Sequence, residues 1–295
     1  MEIIRIPAAM TSWSKAERAG GRSLALVPTM GCLHAGHLSL MAAARQRVDL
    51  LAVSIFVNPA QFGPDEDFAS YPRIFEADCL AAEKAGVDVI FAPEAAAVYP
   101  PGFQTVVRVK ELTQGLCGVS RPGHFDGVAT VVAKLFNIVQ PQLAVFGEKD
   151  FQQLAVIRAM VRDLNFAVEI VGCPIVREAD GLAMSSRNRY LSPAERQAAL
   201  CLCRALESAR RQAAEGERDC GRIIARLSAV VAAEPKARVD YLKIVNDADL
   251  RELEKLTDSA LLMMAVFIGS TRLIDNGYLF PERDNLQNSI NSAAC

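Results

Sequence analysis

The sequence PTMGCLHAGH at residues 28–37 joins a short apolar run at residues 24–28 to a helical pattern at residues 38–47. An apolar run followed by a glycine-containing turn and a helical pattern predicts a strand, a turn and a helix. Two of the chain's three histidines, His34 and His37, lie in this turn. The first amide groups of a helix have no partner inside the helix and carry the positive end of its dipole. The stretch therefore predicts a site where an anion meets backbone N–H groups and two imidazoles.

Gly31 and Gly36 fit this interpretation, because glycine allows a flat or anionic ligand to approach the backbone closely. Two imidazoles in one strand-to-helix turn can donate to phosphate oxygens and stabilise the charge that develops in phosphoryl or nucleotidyl transfer. An H-x-G-H sequence that opens the helix after the first strand is typical of nucleotidyl transferases and class I aminoacyl-tRNA synthetases.

Two alternatives compete for these histidines. One is a zinc site, in which Cys32, His34 and His37 supply three ligands and His124 is the only further histidine. The other is a histidine pair with a purely structural role.

The first part of the chain alternates apolar runs with helical patterns. The runs are rich in Val, Ile and Leu without polar alternation, as in strands that are buried on both faces. This order predicts a Rossmann-like α/β fold, a parallel sheet with helices on both faces, and places the strand-to-helix loops at its carboxyl edge. The predicted strands are 24–28, 50–57, 88–92, 142–146 and 168–171, and the predicted helices are 38–47, 74–85, 128–139 and 151–164.

The pattern changes near residue 176, and the remaining chain predicts a smaller α+β domain. Ser192, followed by proline and then glutamate, is a strong helix start, and this helix is predicted to run to residue 215. A second helix is predicted at residues 219–233, and strands at residues 239–245, 261–268 and 272–280. We therefore predict a nucleotide-binding domain at residues 1–176 and a C-terminal domain at residues 177–295 that closes over its ligand.

Composition excludes several classes of protein. Hydrophobic residues make up 51% and charged residues 22%, which excludes a disordered chain. A net charge of −2 and an aromatic content of 6% argue against an extended nucleic-acid surface. No apolar stretch approaches the ~20 residues that cross a membrane, and the first residues lack the layout of a signal peptide. The eight cysteines include no C-x-x-C pair, so we expect reduced thiols in a cytoplasmic protein.

Two further turns at the predicted carboxyl edge carry polar side chains. Residues 57–62 place the amides of Asn58 and Gln61 there, and neutral amides orient carboxylates and hydroxyls without adding charge. In the other turn, Lys149 supplies a point charge for a phosphate. Asp150 can accept ribose hydroxyls or cap the helix, and Gln153 lies one turn into that helix.

Residues 184–191, MSSRNRYL, combine two hydroxyls with two guanidinium groups near the predicted domain junction. Guanidinium groups and hydroxyls suit a phosphate clamp, and a loop between domains can move with its ligand. The segment therefore predicts a mobile loop that holds phosphate.

PTMGCLHAGH, NPAQF, FGEKDFQQ and MSSRNRYLS occur in the order and at the spacing of the pantoate–β-alanine ligase family, which the chain closely resembles. YPR at residues 71–73, RPGHFDGV at residues 121–128 and TRLIDN at residues 271–276 extend the resemblance over nearly the whole chain. Cys32 stands where many members have alanine, and Ala35 where an acidic residue is common. A Cys32 thiol in this stretch predicts sensitivity to thiol reagents.

The resemblance implies a ligase that condenses (R)-pantoate with β-alanine through a pantoyl adenylate and converts ATP to AMP and pyrophosphate. No protein nucleophile is required, so positioning and charge stabilisation would supply the catalysis. Two alternatives remain. One is another H-x-G-H nucleotidyl transferase that acts on a phosphorylated acceptor, and the other is a non-catalytic nucleotide-binding regulatory module.

The resemblance also implies roles for single residues. His37, His34 and Lys149 would be catalytic, with His37 the family's proton donor, although we expect charge stabilisation to be the larger part of its role. Gln61 and Gln153 would bind pantoate, and Gln61 would also contact β-alanine. The residues implied in ATP binding are Met30, Gly31, Cys32, Leu33, His34, Ala35, Gly36, His37, Gly147, Glu148, Lys149, Asp150, Val176, Met184, Ser185, Ser186 and Arg187.

The family implies Mg²⁺ as the cofactor, bound mainly by phosphate oxygens of ATP, and no metal site made of protein side chains. Asp78 is a candidate for an indirect contact with this ion. The implied partners are the three small-molecule substrates and a second copy of the chain in a homodimer, with no nucleic acid and no membrane.

Overall fold

The first sheet of the computed structural model, which describes residues 1–64 and 66–280, consists of parallel strands. Its strands are β1 (Glu2–Ile4), β2 (Leu24–Thr29), β3 (Leu50–Ile55), β4 (Val89–Phe91), β5 (Leu143–Gly147) and β6 (Glu169–Cys173). They lie in the order β1-β4-β3-β2-β5-β6. The parallel sheet predicted from the uninterrupted apolar runs is therefore confirmed.

The direction of strand addition reverses next to β2. From β2 the chain moves outward to β3 and β4, and it then crosses back to place β5 on the other side of β2. In open parallel sheets, ligands bind outside the carboxyl ends of the strands at such a reversal. The PTMGCLHAGH turn follows β2, and the Gly147 turn follows β5, so both lie at this point.

Helices cover both faces of the parallel sheet, as predicted. Side chains of α2 and α3 pack with alternate residues of the central strands, such as Val27 and Val53. Leu24 and Leu26 point to the opposite face and are also fully buried. The helices of the described chain are α1 (Pro7–Ala19), α2 (Ala35–Arg45), α3 (Phe75–Lys84), α4 (Ala95–Val98), α5 (Cys117–Ser120), α6 (His124–Val139), α7 (Phe151–Asp163), α8 (Pro193–Ala199), α9 (Cys201–Ala214) and α10 (Cys220–Ala232).

The second sheet is antiparallel and has the order β7-β8-β9. Its strands are β7 (Ala237–Asn246), β8 (Ala260–Ile268) and β9 (Thr271–Tyr278). The apolar faces of α9 and α10 pack on this sheet through residues such as Leu202, Ile223 and Leu262. Gly269, with φ +57°, forms the tight turn between β8 and β9. The smaller α+β part predicted from the sequence is confirmed.

Contacts divide the chain into two units. The N-terminal unit consists of residues 1–113, 121–148 and 153–173, and the C-terminal unit consists of residues 114–120, 149–152 and those from 174 onward. Two short segments that precede residue 174, 114–120 and 149–152, thus join the C-terminal unit. The boundary at residue 176 stays a prediction, and part of the predicted domain 177–295, including Cys295, lies outside the described residues.

Three local features differ from the sequence-based prediction. β1 and α1 were not predicted. The predicted helix from Ser192 to residue 215 is interrupted at Leu200, where α8 ends and α9 begins. α6 starts four residues earlier than predicted because Gly123, with φ +81°, provides its start. Among the described residues, no helix has the length and apolar character needed to span a membrane.

A close backbone approach joins α6 to the Pro59–Gln61 turn that follows β3. Gly127 makes it possible, because a Cβ atom at this position would lie 2.1 Å from the carbonyl oxygen of Ala60. The carbonyl oxygen of Gly127 also accepts a hydrogen bond from the Asn58 side chain at 3.2 Å. The glycine of the GHFDGV stretch therefore sets how closely α6 packs against this turn.

We predict that Gly127→Ala lowers the free energy of unfolding by about 2–3 kcal/mol, because the new methyl group forces α6 and the turn apart. Urea denaturation followed by circular dichroism measures this change. Gly63→Ala is the matched control, since its Cβ would meet only the Glu66 side chain at an ordinary 3.7 Å. Equal stability of the two variants would contradict the close approach.

Candidate active site

A buried carboxylate shapes the loop after β2. Asp78 on α3 is 2% exposed, and its carboxylate accepts hydrogen bonds from the amides of Cys32 at 2.9 Å and Leu33 at 2.7 Å. The amide of Gly31 donates to the Thr29 hydroxyl at 3.1 Å. Gly31 and Cys32 have φ values of 79° and 52°, so two consecutive residues are left-handed. A Cβ at Gly31 would lie 2.9 Å from the Asp78 carboxylate, which explains the glycine.

Both oxygens of Asp78 thus face backbone amides. The geometry gives this residue a structural role in the loop and does not support the indirect contact with Mg²⁺ predicted from the sequence. Its place in the loop was not predicted, because the pairing joins residues that lie far apart in the chain.

The first turn of α2 orients His34 and His37. His34 caps the helix, and its Nδ1 accepts a hydrogen bond from the Gly36 amide at 3.2 Å. Nδ1 of His37 accepts one from the His34 amide at 3.3 Å, and the two ring centroids lie 4.1 Å apart. A ring nitrogen that accepts a hydrogen bond carries no hydrogen, so the neutral form of each ring has its hydrogen on Nε2. The loop therefore sets the position and the donor atom of both imidazoles.

The zinc alternative finds no support in the described residues, among which no three His, Cys, Asp or Glu side chains are grouped to hold a metal ion. Cys32 is 1% exposed, and such deep burial argues against the predicted sensitivity to thiol reagents. Ala35, in contrast, is exposed on the first turn of α2.

Gln61 lies at the end of the Pro59–Gln61 turn and is 9% exposed. Its side-chain oxygen accepts a hydrogen bond from Asn58 at 3.0 Å, and its nitrogen donates to the sulfur of Met30 at 3.3 Å. Two residues with different predicted ligands, Gln61 for pantoate and Met30 for ATP, are therefore in contact.

Tyr99 fixes the orientation of Asn58 and was not predicted. Its hydroxyl donates to the side-chain oxygen of Asn58 at 2.8 Å. Burial raises the pKa of Tyr99 to about 12, against a smaller opposing effect of the Asn58 hydrogen bond. The hydroxyl therefore keeps its hydrogen near neutral pH and remains a donor, and Asn58 in turn keeps its amide nitrogen directed at Gln61.

The RPGHFDGV stretch holds the backbone of the same turn. Nδ1 of His124 lies 2.8 Å from the carbonyl oxygen of Gln61, and Arg121 donates to this oxygen at 3.3 Å. Arg121 lies 3.0 Å from Nε2 of His124 and forms two hydrogen bonds of 2.6 Å with the Glu66 carboxylate. Burial alone would raise the pKa of Glu66, but the hydrogen bonds and charge of Arg121 hold it below its usual range.

The turn after β5 carries the second group of predicted residues. Gly147 ends β5, Glu148 follows it, and Gln153 is half-buried on the first turn of α7. Within the C-terminal unit, Nζ of Lys149 lies 3.9 Å from the Asp150 carboxylate, and the Asp150 side chain is half-exposed.

A hairpin in the C-terminal unit brings Val176 and Met184 together. The amide of Met184 donates to the carbonyl oxygen of Val176 at 2.9 Å, and Arg177 pairs with Ala183 in an antiparallel bridge. Two residues predicted to bind ATP are therefore neighbours, although seven residues separate them in the sequence.

The segment after this hairpin forms the Ser186–Tyr190 turn, in which Ser186 and Arg187 are half-buried. The Ser185 hydroxyl caps the turn by accepting a hydrogen bond from the Arg187 amide at 3.3 Å. Asn188 connects the turn to the hairpin by donating a hydrogen bond to the side chain of Glu178 at 2.7 Å. The segment predicted to hold phosphate is thus a turn that is hydrogen-bonded to the hairpin, and its mobility and its ligand stay predictions.

Comparison with known proteins gives a consistent result. The family model for pantoate–β-alanine ligase matches residues 2–278. The pantothenate synthetase of Syntrophus aciditrophicus is 54% identical over 287 residues, which cover 97% of this chain and 100% of that protein. The pantothenate synthetase of Heliobacterium modesticaldum is 57% identical over 94% of this chain and 98% of its own length.

Solved structures agree with the sequence comparison. A crystal structure of pantothenate synthetase from Thermus thermophilus superposes with a TM-score of 0.91 at 46% identity and covers 95% of this chain and 100% of that one. The pantoate–β-alanine ligase of Francisella tularensis, solved in complex with β-γ ATP and β-alanine, has a TM-score of 0.79 at 32% identity over 95% of this chain and 98% of that one. From its matched length, its identity to these proteins and its fold, the chain belongs to the pantoate–β-alanine ligase family.

Proposed function

We propose that this amide-forming ligase joins (R)-pantoate to β-alanine at the expense of ATP, through a pantoyl adenylate. The observation that carries the proposal is the backbone-oriented pair His34 and His37 at the start of α2, where the sheet order reverses. Within a chain that matches the family along almost its full length, this pair supplies two Nε2 donors where phosphates bind.

In the first step, a carboxylate oxygen of pantoate attacks the α-phosphorus of ATP. A P–O bond to the acid forms, the bond to the bridging oxygen breaks, and pyrophosphate leaves. Negative charge shifts toward the bridging and non-bridging oxygens, and fixed donors stabilise that charge without reorganising. We assign this role to His34 and His37, with Lys149 as a cation near the α-phosphate.

Gln61 and Gln153 are assigned to pantoate, and Gln61 also to β-alanine. The two ends of the Gln61 amide are already engaged by Asn58 and Met30. A side chain held in this way loses little freedom when a substrate binds, which favours recognition of a small polar acid.

The other ATP contacts follow the family's motifs. The turns at residues 30–37 and 147–150 would bind the nucleotide, with Asp150 at the ribose. The Val176 backbone would lie near adenine, and residues 184–187 would hold the triphosphate.

In the second step, the amine of β-alanine attacks the acyl carbon of the adenylate. A C–N bond forms, the C–O bond to AMP breaks, and the amine loses a proton to solvent or to the departing phosphate. AMP is a far better leaving group than oxide, so no protein nucleophile is needed.

Mg²⁺ would accompany ATP on its phosphate oxygens. The described residues provide no cluster of carboxylates for it, and Asp78 is committed to backbone amides. We propose that the ion takes most of its ligands from phosphate and water.

We also propose a cytoplasmic homodimer. The seven cysteines in the described residues are free thiols, and free thiols persist in a reducing compartment. The segment 103–109 forms no helix and pairs with no strand among the described residues, and it leaves Val106 60% exposed. An unpaired, β-branched segment of this kind is suited to pairing with a second copy.

One assay separates this function from its two alternatives. With ATP, pantoate and β-alanine, the proposed ligase forms AMP and an amide product. Turnover that requires a phosphorylated acceptor would identify another nucleotidyl transferase, and ATP binding without any turnover would identify a regulatory module.

We predict that His37→Ala slows pantoate-dependent ATP–pyrophosphate exchange about a hundredfold, because one oriented donor to the developing charge is lost. Ser39→Ala is the control, since the Ser39 hydroxyl donates to the Gly36 carbonyl in the same helical turn and has no assigned role. Near-wild-type exchange in His37→Ala would refute the role of this imidazole.

We predict that Gln61→Ala raises the Michaelis constants for pantoate and β-alanine about tenfold and leaves that for ATP within twofold, because one or two hydrogen bonds to the acid and the amine are lost. Steady-state kinetics with each substrate varied in turn provides the measurement. Unchanged constants for both small substrates would show that Gln61 does not face them.

We predict that Val106→Arg shifts the protein from dimer to monomer in light-scattering measurements, because a charged side chain would lie in the shared strand pair. Val119→Arg is the control, since Val119 is also exposed, at 68%, but lies outside this segment. A dimer that survives Val106→Arg but not Val119→Arg would place the interface elsewhere.

A further inference from the structure

The TRLIDN stretch has no role in the reaction as assigned above, yet it ends in two buried polar residues. Asp275 is 2% exposed and Asn276 is 5% exposed, both on β9 of the C-terminal unit. Polar side chains are rarely buried without a partner. Successive residues of a strand point to opposite faces, so these two side chains can reach two different segments of the chain.

Asn276 reaches the 149–152 segment. Its side-chain nitrogen donates to the carbonyl oxygen of Lys149 at 2.8 Å. The bond holds the peptide plane between Lys149 and Asp150 and so restrains the backbone from which the lysine side chain extends.

Asp275 reaches the hairpin that carries Val176 and Met184. Its two oxygens accept hydrogen bonds from Arg177 at 2.7 and 2.9 Å, and the Arg177 guanidinium also donates to the carbonyl oxygen of Gly181 at 3.0 Å. The planar, two-point contact fixes the guanidinium as well as attracting it.

The two contacts are joined to each other. The amide of Asn276 donates to the Asp275 carboxylate at 2.8 Å, and Arg177 donates to the carbonyl oxygen of Asn276 at 3.5 Å. Both segments of the C-terminal unit that are assigned to ATP are therefore attached to the same two residues of β9.

We propose that Asn276 and Asp275 are positioning residues for ATP, Asn276 acting through Lys149 and Asp275 acting through Arg177 on the 176–187 segment. The inference rests on the proposed function only in taking Lys149 and this segment as ATP ligands. Neither residue is assigned a contact with the reacting atoms. Their contribution is to hold the binding groups in place before ATP arrives, which reduces the ordering that binding requires.

Calorimetric titration with Mg·ATP tests the proposal without requiring turnover. We expect Asn276→Ala to weaken ATP binding about tenfold, and pantoate-dependent ATP–pyrophosphate exchange to fall 10- to 100-fold. The rate at which the variant converts separately prepared pantoyl adenylate and β-alanine to product should differ from the wild-type rate by less than threefold. Asn246→Ala is the matched control, because Asn246 on β7 bonds Ser259 and the Ala248 amide and not an assigned ATP segment.

A double-mutant cycle separates positioning from general support of the fold. If Asn276 acts through Lys149, Asn276→Ala should weaken ATP binding by less than threefold in a Lys149→Ala background. Asp275→Asn should weaken ATP binding by the same factor in the Lys149→Ala background as in the wild type, because Asp275 acts through Arg177.

Asn276→Ser is the second variant if Asn276→Ala does not fold. Serine retains a shorter hydrogen-bond donor, so the ATP affinity of Asn276→Ser should lie between those of the wild type and Asn276→Ala. Three results would each overturn the proposal. The first is ATP binding by Asn276→Ala within twofold of wild type, and the second is a loss of ATP affinity in Asn276→Ala that multiplies with that of Lys149→Ala. The third result is an equal loss of ATP affinity in Asn246→Ala. A wild-type protein that binds ATP but shows no exchange would refute the proposed function, and the binding measurements would still decide the role of Asn276.

Discussion

The buried carboxylate of Asp78 is the contact on which the loop after β2 depends. A carboxylate this deeply buried is unfavourable unless its oxygens are satisfied, and the amides of Cys32 and Leu33 satisfy them. Those bonds in turn stabilise two consecutive left-handed residues, which L-amino acids otherwise avoid. The turn brings His34 to the N-cap position of α2, and the His34 amide donates a hydrogen bond that orients His37. One interaction between α3 and the loop thus determines where both imidazoles lie.

A second constraint, at the neighbouring strand end, is steric. Gly127 lets α6 approach the Pro59–Gln61 turn to a distance that no other residue permits. Asn58, Tyr99 and His124 then complete the surroundings of Gln61 with hydrogen bonds. The loop after β2 is built from backbone amides around a charge, whereas the Pro59–Gln61 turn is built from close packing and neutral amides. The difference fits their assigned ligands, a polyphosphate in one case and a small hydroxy acid in the other.

Sequence patterns predicted the central strands because those strands are buried on both faces and read as unbroken apolar runs. They did not reveal β1, which has only three residues, two of them exposed, and α1, whose cap residue Ile6 makes no side-chain capping bond. The break at Leu200 also has no local signal, since neither glycine nor proline occurs there. The motif residues themselves could be read from the sequence. The supporting roles of Asp78, Tyr99 and Asn276 could not, because each of these side chains acts across a long separation in the chain.

The fit around Gln61 has a consequence for engineering. Gln61 is held at both ends of its side-chain amide and at its backbone carbonyl, and α6 packs closely against its turn. It therefore offers little room for redesign, since any replacement leaves Asn58 and Met30 without their present contact. An altered acid specificity would therefore be sought first at Gln153, the other residue assigned to pantoate, which lies on the first turn of α7 and not in this turn.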